Sequence, residues 1–312
     1  MDPVWHTALT PLSFLGRSAD VFADKTAVVY GERRSTYAEF AAEVQQVAKG
    51  LRGSGIEPGD RVAYLLPNVP EMLVAHFAVP LAGAVLVAIN TRLSTEEIRY
   101  ILDHSGSKLL VVDAALYPAV APIASELKTV EEIITVIDPA NPGDGVGSGV
   151  RYDDLLARGS GEEGPLPWAV EDEDATISIN YTSGTTGRPK GVVVSHRAIV
   201  NLIRWRQGTF PLEIGDRVLQ KSSVGFDVSV PEFFWPLAVG AVVRMIPDGA
   251  EKDPAALVAL LRSEPFGYAD FLPSVVRALV DDGEDLTSLR IRHASVGSES
   301  VPVSVAHALR AP

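Results

Sequence analysis

One short segment of the chain combines the residue types that can hold a polyphosphate. Residues 181–191 read YTSGTTGRPKG and contain three glycines, five hydroxyl side chains, one arginine and one lysine. Glycine lets the backbone turn tightly and approach a phosphate closely, so that N–H groups and hydroxyls can point at it. Lys190 and Arg188 add positive charge. The segment indicates a phosphate-binding loop; a glycine-rich turn without a ligand is the alternative.

The segment does not match the nucleotide-binding P-loop, G-x-x-x-x-G-K-[ST]. Counted from Gly184, the position that should hold the second glycine holds Pro189. Gly191 follows the lysine, where serine or threonine is required. A phosphate bound by residues 181–191 would therefore be held by a loop of another type than the P-loop.

Composition excludes several classes of protein. The 312 residues carry a net charge of −13, and we find no run of lysine and arginine that could bind a nucleic-acid backbone. The absence of cysteine excludes disulfides, thiolate metal sites and a cysteine nucleophile in this sequence. The histidines, His196 included, show no pattern of a metal site or a catalytic triad. We expect a soluble, cytoplasmic protein with no nucleic-acid partner.

An apolar run at residues 72–89, MLVAHFAVPLAGAVLVAI, is long enough to raise the question of a membrane span. His76, Pro80 and Gly83 interrupt it. The pattern predicts a buried helix, a turn at Pro80 to Gly83 and a buried strand. Residues 1–10 also lack the basic and apolar regions of a signal peptide. We therefore expect no membrane partner.

Helical and short apolar segments alternate around the loop. Helical periodicity occurs at residues 36–55, 69–83, 94–106, 195–207 and 253–264. Short apolar runs typical of buried strands occur at residues 60–67, 84–90, 108–113, 175–184, 242–247 and 291–299. Residues 138–149 and 159–168, rich in glycine, proline and acidic residues, are expected to be surface loops around a short helix. The alternation predicts an α/β fold with mostly parallel sheets covered by helices on both faces.

The full string YTSGTTGRPKGV resembles the signature of the adenylate-forming (ANL) enzymes: acyl-CoA synthetases, luciferases and the adenylation domains of nonribosomal peptide synthetases. Further segments resemble the family's core motifs in the family's order; they are residues 35–40, 80–90, 226–241, 269–279 and 296–302. Up to about residue 197 the sequence is most similar to acyl-CoA synthetases. From about residue 200 it is most similar to amino-acid adenylation domains.

This resemblance implies two stacked α/β subdomains, as in the large N-terminal domain of the family. Subdomain A would cover about residues 60–195, and subdomain B about residues 10–59 together with 196–312. The aromatic-Gly-x-Thr-Glu and Thr-Gly-Asp motifs of the family are not found in the sequence. We therefore expect the N-terminal core of an adenylation domain, incomplete by itself, in which no metal ligand is assignable.

The catalytic residue of the family is also not assignable in this sequence. In the family it is a lysine of a mobile C-terminal lid domain, which stabilises the adenylation transition state. No segment up to Pro312, the last residue of the sequence, resembles that domain. The expectation is therefore that the lysine lies beyond Pro312.

By the same resemblance, the loop grips the β- and γ-phosphates of ATP, and Mg²⁺ is the expected metal. A substrate carboxylate attacks the α-phosphorus, giving an acyl-adenylate and pyrophosphate, while the loop neutralises and positions the departing pyrophosphate. The residues implied in phosphate binding are Thr182, Ser183, Gly184, Thr185, Thr186, Gly187 and Lys190.

The motif FDVS indicates which acid is activated. Asp227 matches the family aspartate that pairs with the α-ammonium of an amino acid. Fatty and aryl acids have no ammonium group, and a buried carboxylate without a partner is unfavourable, so this aspartate selects for an amine. The alternative is that Asp227 caps a turn or is solvated.

Carried over by motif, the substrate pocket is formed by Phe226, Asp227, Val228, Pro231, Asp270, Ser295 and Gly297. A second carboxylate, Asp270, favours a substrate with a second cationic or donor group, which suggests arginine, ornithine, lysine or a cyclised relative. The alternative is that Asp270 faces away and bonds to arginine or backbone. Pro231 and Ser298 depart from the family, which often has tryptophan and usually glycine there.

Three interpretations follow. The first is an amino-acid-activating ligase that loads a carrier-protein thiol; the second is an acyl- or aryl-CoA ligase, against which Asp227 argues. The third is a truncated, non-catalytic module that binds nucleotide or amino acid. Binding of ATP without pyrophosphate exchange would distinguish the third from the other two.

Overall fold

Two β-sheets covered by helices form the structure. The computed structural model describes residues 7–139, 141–143, 147, 149–161, 164–182, 188–247, 253–303 and 305. The strands are β1 (Thr26–Tyr30), β2 (Arg33–Thr36), β3 (Arg61–Leu65), β4 (Val85–Ala88), β5 (Ser107–Asp113), β6 (Glu132–Val136), β7 (Val150–Arg151), β8 (Thr176–Thr182), β9 (Lys190–Ser195), β10 (Arg217–Gln220), β11 (Val242–Met245), β12 (Phe266–Phe271) and β13 (Ile291–Val296). The helices are α1 (Pro11–Val21), α2 (Tyr37–Gly53), α3 (Pro70–Leu81), α4 (Thr95–Ser105), α5 (Tyr117–Val120), α6 (Tyr152–Gly159), α7 (His196–Thr209), α8 (Ser229–Val239), α9 (Pro254–Ser263) and α10 (Pro273–Asp281).

The strands of each sheet are mostly parallel. Among the described residues, a six-stranded sheet has the order β13-β12-β10-β11-β1-β2, and a seven-stranded sheet has the order β7-β6-β5-β3-β4-β8-β9. The pairs β1–β2 and β8–β9 are antiparallel, and each lies at one edge of its sheet. The predicted fold class, α/β with mostly parallel sheets, is confirmed.

The six-stranded sheet combines distant parts of the chain. Strand β1 pairs in parallel with β11, so that Val28 lies opposite Val243, whereas the strands of the seven-stranded sheet all come from residues 61–195. The β1–β2 hairpin was not predicted from the sequence. Its partner strand is more than 200 residues away, and no local pattern shows such a pairing.

The apolar run at residues 72–89 is buried inside the protein. It forms the last ten residues of α3, a turn and strand β4, and every residue of α3 is buried. The helix continues to Leu81, so the expected turn begins at Ala82 and not at Pro80. Pro80 has no N–H and so cannot donate an i→i−4 hydrogen bond, but it stands one residue before the helix ends. In the described part of the chain, we find no helix that is long and apolar enough to cross a membrane.

Helix α4 begins where the sequence predicts. The Ser94 hydroxyl accepts a hydrogen bond from the Glu97 N–H, and the Glu97 carboxylate accepts one from the Ser94 N–H at 2.9 Å, which is a capping box. Gly106 ends the helix at φ 64°, a conformation that glycine adopts without strain.

Loops from the two sheets meet at the carboxyl ends of their parallel strands. The Asn68 side chain, which follows β3, donates a hydrogen bond to the Ser222 carbonyl, which follows β10, at 3.0 Å. Gly225 lies so close to Asn90, the residue after β4, that a Cβ atom at Gly225 would be 3.0 Å from the Asn90 Cβ. These contacts bring the strand ends of both sheets to one region of the surface.

Candidate active site

The proposed phosphate loop connects the two strands of an edge hairpin. Strands β8 and β9 are antiparallel, and Thr182 pairs with Lys190 at the loop end of the hairpin. Both residues are exposed. The five residues between 182 and 188, which are Ser183, Gly184, Thr185, Thr186 and Gly187, lie outside the described residues. Strand β9 was not predicted, since the sequence assigned no element between the glycine loop and the helical pattern at residues 195–207.

Side chains from helix α4 contact residues on both sides of this loop. The His104 ring nitrogen Nδ1 lies 2.8 Å from the Tyr181 hydroxyl, and the rings of His104 and Tyr100 stack with their centroids 5.1 Å apart. The Arg188 guanidinium lies 6.0 Å from the centroid of the Tyr100 ring. These contacts attach the strand ends on either side of the loop to α4.

A buried carboxylate organises the segment that follows β10. Glu232 of α8 is 1% exposed, and its Oε2 accepts hydrogen bonds from the N–H groups of Lys221 and Ser222 at 3.2 and 3.0 Å. The Ser222 hydroxyl donates to Oε1 at 2.7 Å. The pKa of Glu232 is raised to about 7, chiefly by burial and in smaller part by the charge of Asp270, while Lys221 and the hydrogen bonds from Ser222 oppose the shift.

Asp227 lies in the turn between this segment and α8. Its side chain is exposed, and its backbone carbonyl accepts a hydrogen bond from the Val230 N–H at 3.1 Å. The neighbouring Phe226 ring is 52% exposed. Val228 is half-buried and Pro231 is buried in the first turn of α8. The Asp227 carboxylate is thus accessible to a ligand, and also to water.

Asp270 and Ser295 lie opposite each other on the neighbouring strands β12 and β13. The Tyr268 hydroxyl donates a hydrogen bond to Asp270 Oδ1 at 2.8 Å. Asp270 Oδ2 is buried and has no hydrogen-bond partner among the described residues. Asp270 therefore bonds to a tyrosine, and not to arginine or backbone as its alternative interpretation required.

The predicted pocket residues thus gather at the carboxyl ends of parallel strands. Asp270, Ser295 and Gly297 are at the ends of β12 and β13, and the segment carrying Phe226, Asp227 and Val228 follows β10, the neighbour of β12. Thr182 is at the carboxyl end of β8, next to β4 in the other sheet. Ligands of open α/β sheets bind at such strand ends, especially where two connections diverge.

An open depression of about 370 Å³ lies at the opposite end of the same strands. Arg217, Phe266 and Ile291, which begin β10, β12 and β13, are among its lining residues. It contains none of the predicted site residues. We place the candidate active site at the carboxyl ends, because the polar groups converge there.

Three side chains at this site were not singled out from the sequence: Glu232, Tyr268 and Arg206. A signal existed for Glu232, since it is a lone acidic residue in the apolar stretch SVPEFFWPLAV. Tyr268 and Asp270 are two residues apart on a strand and therefore share one face. Arg206 is on α7, and its contact with β12 has no sequence signature.

The magnesium ion that the family resemblance implies has no ligand assigned among the described residues. Among them, we find no group of three or more histidine, aspartate or glutamate side chains that could hold a metal ion. No step of the chemistry is therefore assigned to a protein-bound Mg²⁺.

The end of the chain, where the sequence analysis placed the limit of the catalytic machinery, is outside the described residues. The last described residue is Val305, and Pro312 lies beyond it. The expectation that the catalytic lysine of the family lies beyond Pro312 therefore stays a prediction. Among the described residues we assign no side chain to its role.

Comparison with known proteins shows the family. The family model described as AMP-binding enzyme matches residues 15–311. The chain belongs to this family. Its similarity to adenylate-forming enzymes, inferred above from motifs, is thereby confirmed over almost the whole sequence.

Relatives of this AMP-binding chain include both kinds of enzyme that the two parts of the sequence resemble. It is 30% identical over 286 residues to tyrocidine synthase 3 of Brevibacillus parabrevis, covering 92% of this chain and 4% of the relative. It is 37% identical over 306 residues to a long-chain-fatty-acid–CoA ligase of Thermus thermophilus, covering 94% of this chain and 53% of the ligase. The chain spans about half or less of the length of these curated relatives.

Solved structures share the fold. The anthranilate CoA ligase AuaEII in complex with anthranoyl-AMP superposes with a TM-score of 0.84 at 24% identity, covering 97% of this chain and 58% of that one. The nonribosomal peptide synthetase FmoA3 (S1046A), in its AMPPNP-bound form, gives a TM-score of 0.78 at 25% identity, covering 98% of this chain and 30% of that one. The arrangement of the two sheets is therefore that of adenylate-forming enzymes.

Proposed function

We propose that this chain forms the nucleotide- and amino-acid-binding core of an AMP-forming ligase that activates an amino acid as its aminoacyl-adenylate. One observation carries the choice of an amino acid. The buried, unpartnered oxygen of Asp270 lies at the end of β12, beside the segment after β10 that presents the accessible carboxylate of Asp227. Two carboxylates in one region favour a substrate with two cationic groups.

The phosphate-binding step uses the hairpin of β8 and β9. Thr182 and Lys190 face each other at its end, and the loop between them carries the glycines and hydroxyls that suit a polyphosphate. ATP would bind there. The substrate carboxylate oxygen forms a bond to the α-phosphorus, the bond from the α-phosphorus to the bridging oxygen breaks, and pyrophosphate leaves with its electron pair. Lys190 balances the charge of the leaving group.

The amino acid would be recognised by its charges. Asp227 pairs with the α-ammonium, and Asp270 accepts hydrogen bonds from a guanidinium or amine of the side chain. The closeness of Glu232 to Asp270 adds negative potential when Glu232 is ionised. These features support arginine, ornithine or lysine as the substrate.

The remaining parts of the proposal come from the family. A carrier-protein thiol is the proposed acceptor of the activated amino acid. The proposed subdomains, about residues 60–195 and about residues 10–59 with 196–312, each contain the strands of one sheet. The lysine that stabilises the adenylation transition state in this family would come from a C-terminal lid domain.

A CoA ligase is a second candidate function. The 37% identity to the Thermus thermophilus ligase extends over 306 residues, and Asp227 is exposed. Because an exposed carboxylate is solvated, Asp227 does not exclude an acid that lacks an ammonium group as strongly as a buried one would.

The decisive experiment is ATP–pyrophosphate exchange with basic, neutral and acidic amino acids and with fatty and aryl acids. Exchange that depends on a basic amino acid, and that Lys190→Ala and Asp227→Asn each reduce, is the expected result. Asp281→Asn, a change at an exposed residue of α10, is the matched control for the substitution of Asp227. Exchange with fatty acids alone would select the CoA ligase. Binding of ATP without any exchange would select a non-catalytic module.

A further inference from the structure

The hydroxyl of Tyr268 links helix α7 to Asp270, the carboxylate proposed to bind the substrate side chain. Tyr268 is 1% exposed, and its hydroxyl donates to Asp270 Oδ1 at 2.8 Å. The Arg206 guanidinium of α7 donates a hydrogen bond to the same hydroxyl through Nη1. Since a guanidinium only donates and a phenol has one proton, the direction of both bonds is fixed. The proton of Tyr268 must point at Asp270.

Aromatic rings pack against both Arg206 and Tyr268. The Arg206 guanidinium lies 5.6 Å from the ring centroid of Trp205 and 5.1 Å from that of Tyr268. The Tyr268 ring packs against Trp235 and Phe210, with centroids 5.0 and 6.0 Å apart. Packing on this scale removes rotamer freedom from the phenol, so its hydroxyl occupies one position.

The two oxygens of Asp270 therefore differ. Oδ1 is occupied by Tyr268, whereas Oδ2 is buried without a donor among the described residues. Arg206 directs its hydrogen bond to the phenol oxygen, so its connection to the carboxylate runs through Tyr268. A buried acceptor that lacks a donor is unfavourable, and a ligand that supplies one relieves this. The carboxylate is thus oriented with one oxygen available.

We propose that Tyr268 and Arg206 are positioning residues that set the side-chain specificity of this site, by holding Asp270 so that Oδ2 accepts from a cationic substrate group. The ligand class is an amino acid with a side-chain amine or guanidinium. This proposal rests on the proposed function for the nature of the substrate. Neither residue belongs to the set that the sequence motifs assigned to the pocket.

The test is calorimetric titration of the chain with L-arginine and L-ornithine, separate from the exchange assay. We expect Tyr268→Phe and Arg206→Met each to raise the Kd of the better ligand about tenfold, as expected for one hydrogen bond to a charged group. In the background of Asp270→Asn, Tyr268→Phe should change the Kd less than about twofold, because Tyr268 acts through Asp270. The Kd of AMPPNP should be unaffected in every variant.

Two matched controls are available. Arg204→Met alters an exposed arginine on the same helix, and Tyr117→Phe alters a half-buried tyrosine far from the site in sequence. Neither should change the Kd. Circular dichroism establishes that each variant is folded, and Arg206→Met tests the proposal if Tyr268→Phe is unstable.

Several outcomes would overturn the proposal. The proposal fails if the wild type binds neither basic amino acid, or if the effects of the Tyr268 and Asp270 substitutions on the Kd are additive. It also fails if Arg204→Met raises the Kd as much as Arg206→Met does. If exchange occurs with another acid but neither basic amino acid binds, adenylation stands and this inference fails. If the basic amino acid binds with the expected coupling but no exchange occurs, the inference stands and the proposed activity fails.

Discussion

Glu232 receives two hydrogen bonds from the single residue Ser222: its Oε2 accepts from the backbone N–H at 3.0 Å and its Oε1 accepts from the hydroxyl at 2.7 Å. A carboxylate at the start of α8 thereby fixes the chain as it leaves β10. The segment that carries Asp227 begins directly after this contact. The shape of the candidate site thus depends on a group that no ligand is expected to touch.

Replacing Glu232 with glutamine should change how stability depends on pH. The pKa of Glu232 is about 7 in the folded protein and near 4.5 when unfolded, so the folded state binds more protons between these values. Stability contributed by Glu232 is present below pH 4.5 and is lost as the pH rises through 7. Glu232→Gln should remove this loss, which is on the order of 3 kcal/mol.

Urea unfolding of both proteins at pH 5, 6, 7 and 8 measures the effect. The glutamine amide can accept from the two N–H groups and donate to the Ser222 hydroxyl, so the contact itself can be kept. An unchanged pH dependence in Glu232→Gln would contradict the raised pKa.

His76 should produce a pH dependence of the opposite sign. Its Nδ1 bonds to the Met72 carbonyl at 2.8 Å, and its ring lies 4.7 Å from that of Phe233. Burial lowers its pKa to about 4, although the bond to Met72 opposes the shift. The unfolded state therefore binds more protons below pH 6.5, and stability falls as the pH falls from 6.5 toward 4.

The variant His76→Leu should lose this acid sensitivity, with a change of slope of up to about 1.4 kcal/mol per pH unit. At pH 7.5 the same variant should be less stable by about 1 kcal/mol, because its hydrogen bond is lost. Chemical unfolding between pH 4.5 and 7.5 measures both effects. An identical slope in wild type and variant would show that His76 is not the group responsible.

Asp270→Leu should abolish any preference for basic amino acids. The substitution removes the acceptor oxygen and the charge, so we expect kcat/KM for arginine or ornithine to fall by on the order of 100-fold, as for a lost charged hydrogen bond in a buried site. Neutral amino acids should lose little. Pyrophosphate exchange across the panel measures the ratio. A preserved preference for basic substrates would exclude Asp270 as its cause.

Two glycines of α2 offer a matched test of helix packing. A Cβ atom at Gly50 would lie 2.1 Å from the Leu155 carbonyl oxygen of α6, whereas a Cβ at Gly53 would lie 3.5 Å from the Arg158 Cβ. Gly50→Ala should destabilise the fold by about 1–3 kcal/mol through overpacking. Gly53→Ala should be neutral or stabilising by up to about 1 kcal/mol, because alanine favours the helix. Equal effects in urea unfolding would contradict the close approach of α2 and α6.

The sequence predicted those elements whose evidence is local. Helix α4 has its cap and periodicity within thirteen residues, and β3, β4 and β5 are short apolar runs, so each was found. The β1–β2 hairpin and strand β9 were missed. Strand β1 depends on a distant partner, and the residues of β9 read as the end of the glycine loop.

The candidate site was predicted from motifs and only partly from physics. The order of the family motifs located Asp227 and Asp270 in the sequence. The roles of these two residues stay predictions. The hydrogen bond from Tyr268 to Asp270 forms because both side chains lie on the same face of β12. The hydrogen bond from Arg206 to Tyr268 forms because α7 packs against that sheet. Such contacts between elements follow from tertiary structure and leave no pattern in the chain.

The pairing of β1 with β11 has a consequence for how the protein is made. Val28 and Val243 are more than 200 residues apart, so at about 5–20 residues per second β1 waits on the order of 10–40 s for its partner to leave the ribosome. The seven-stranded sheet uses residues 61–195 and can form during that delay. We expect co-translational folding to begin in the middle of the chain. The N-terminal hairpin then docks late, and until it does its unpaired strand edge is open to chaperones or to aggregation.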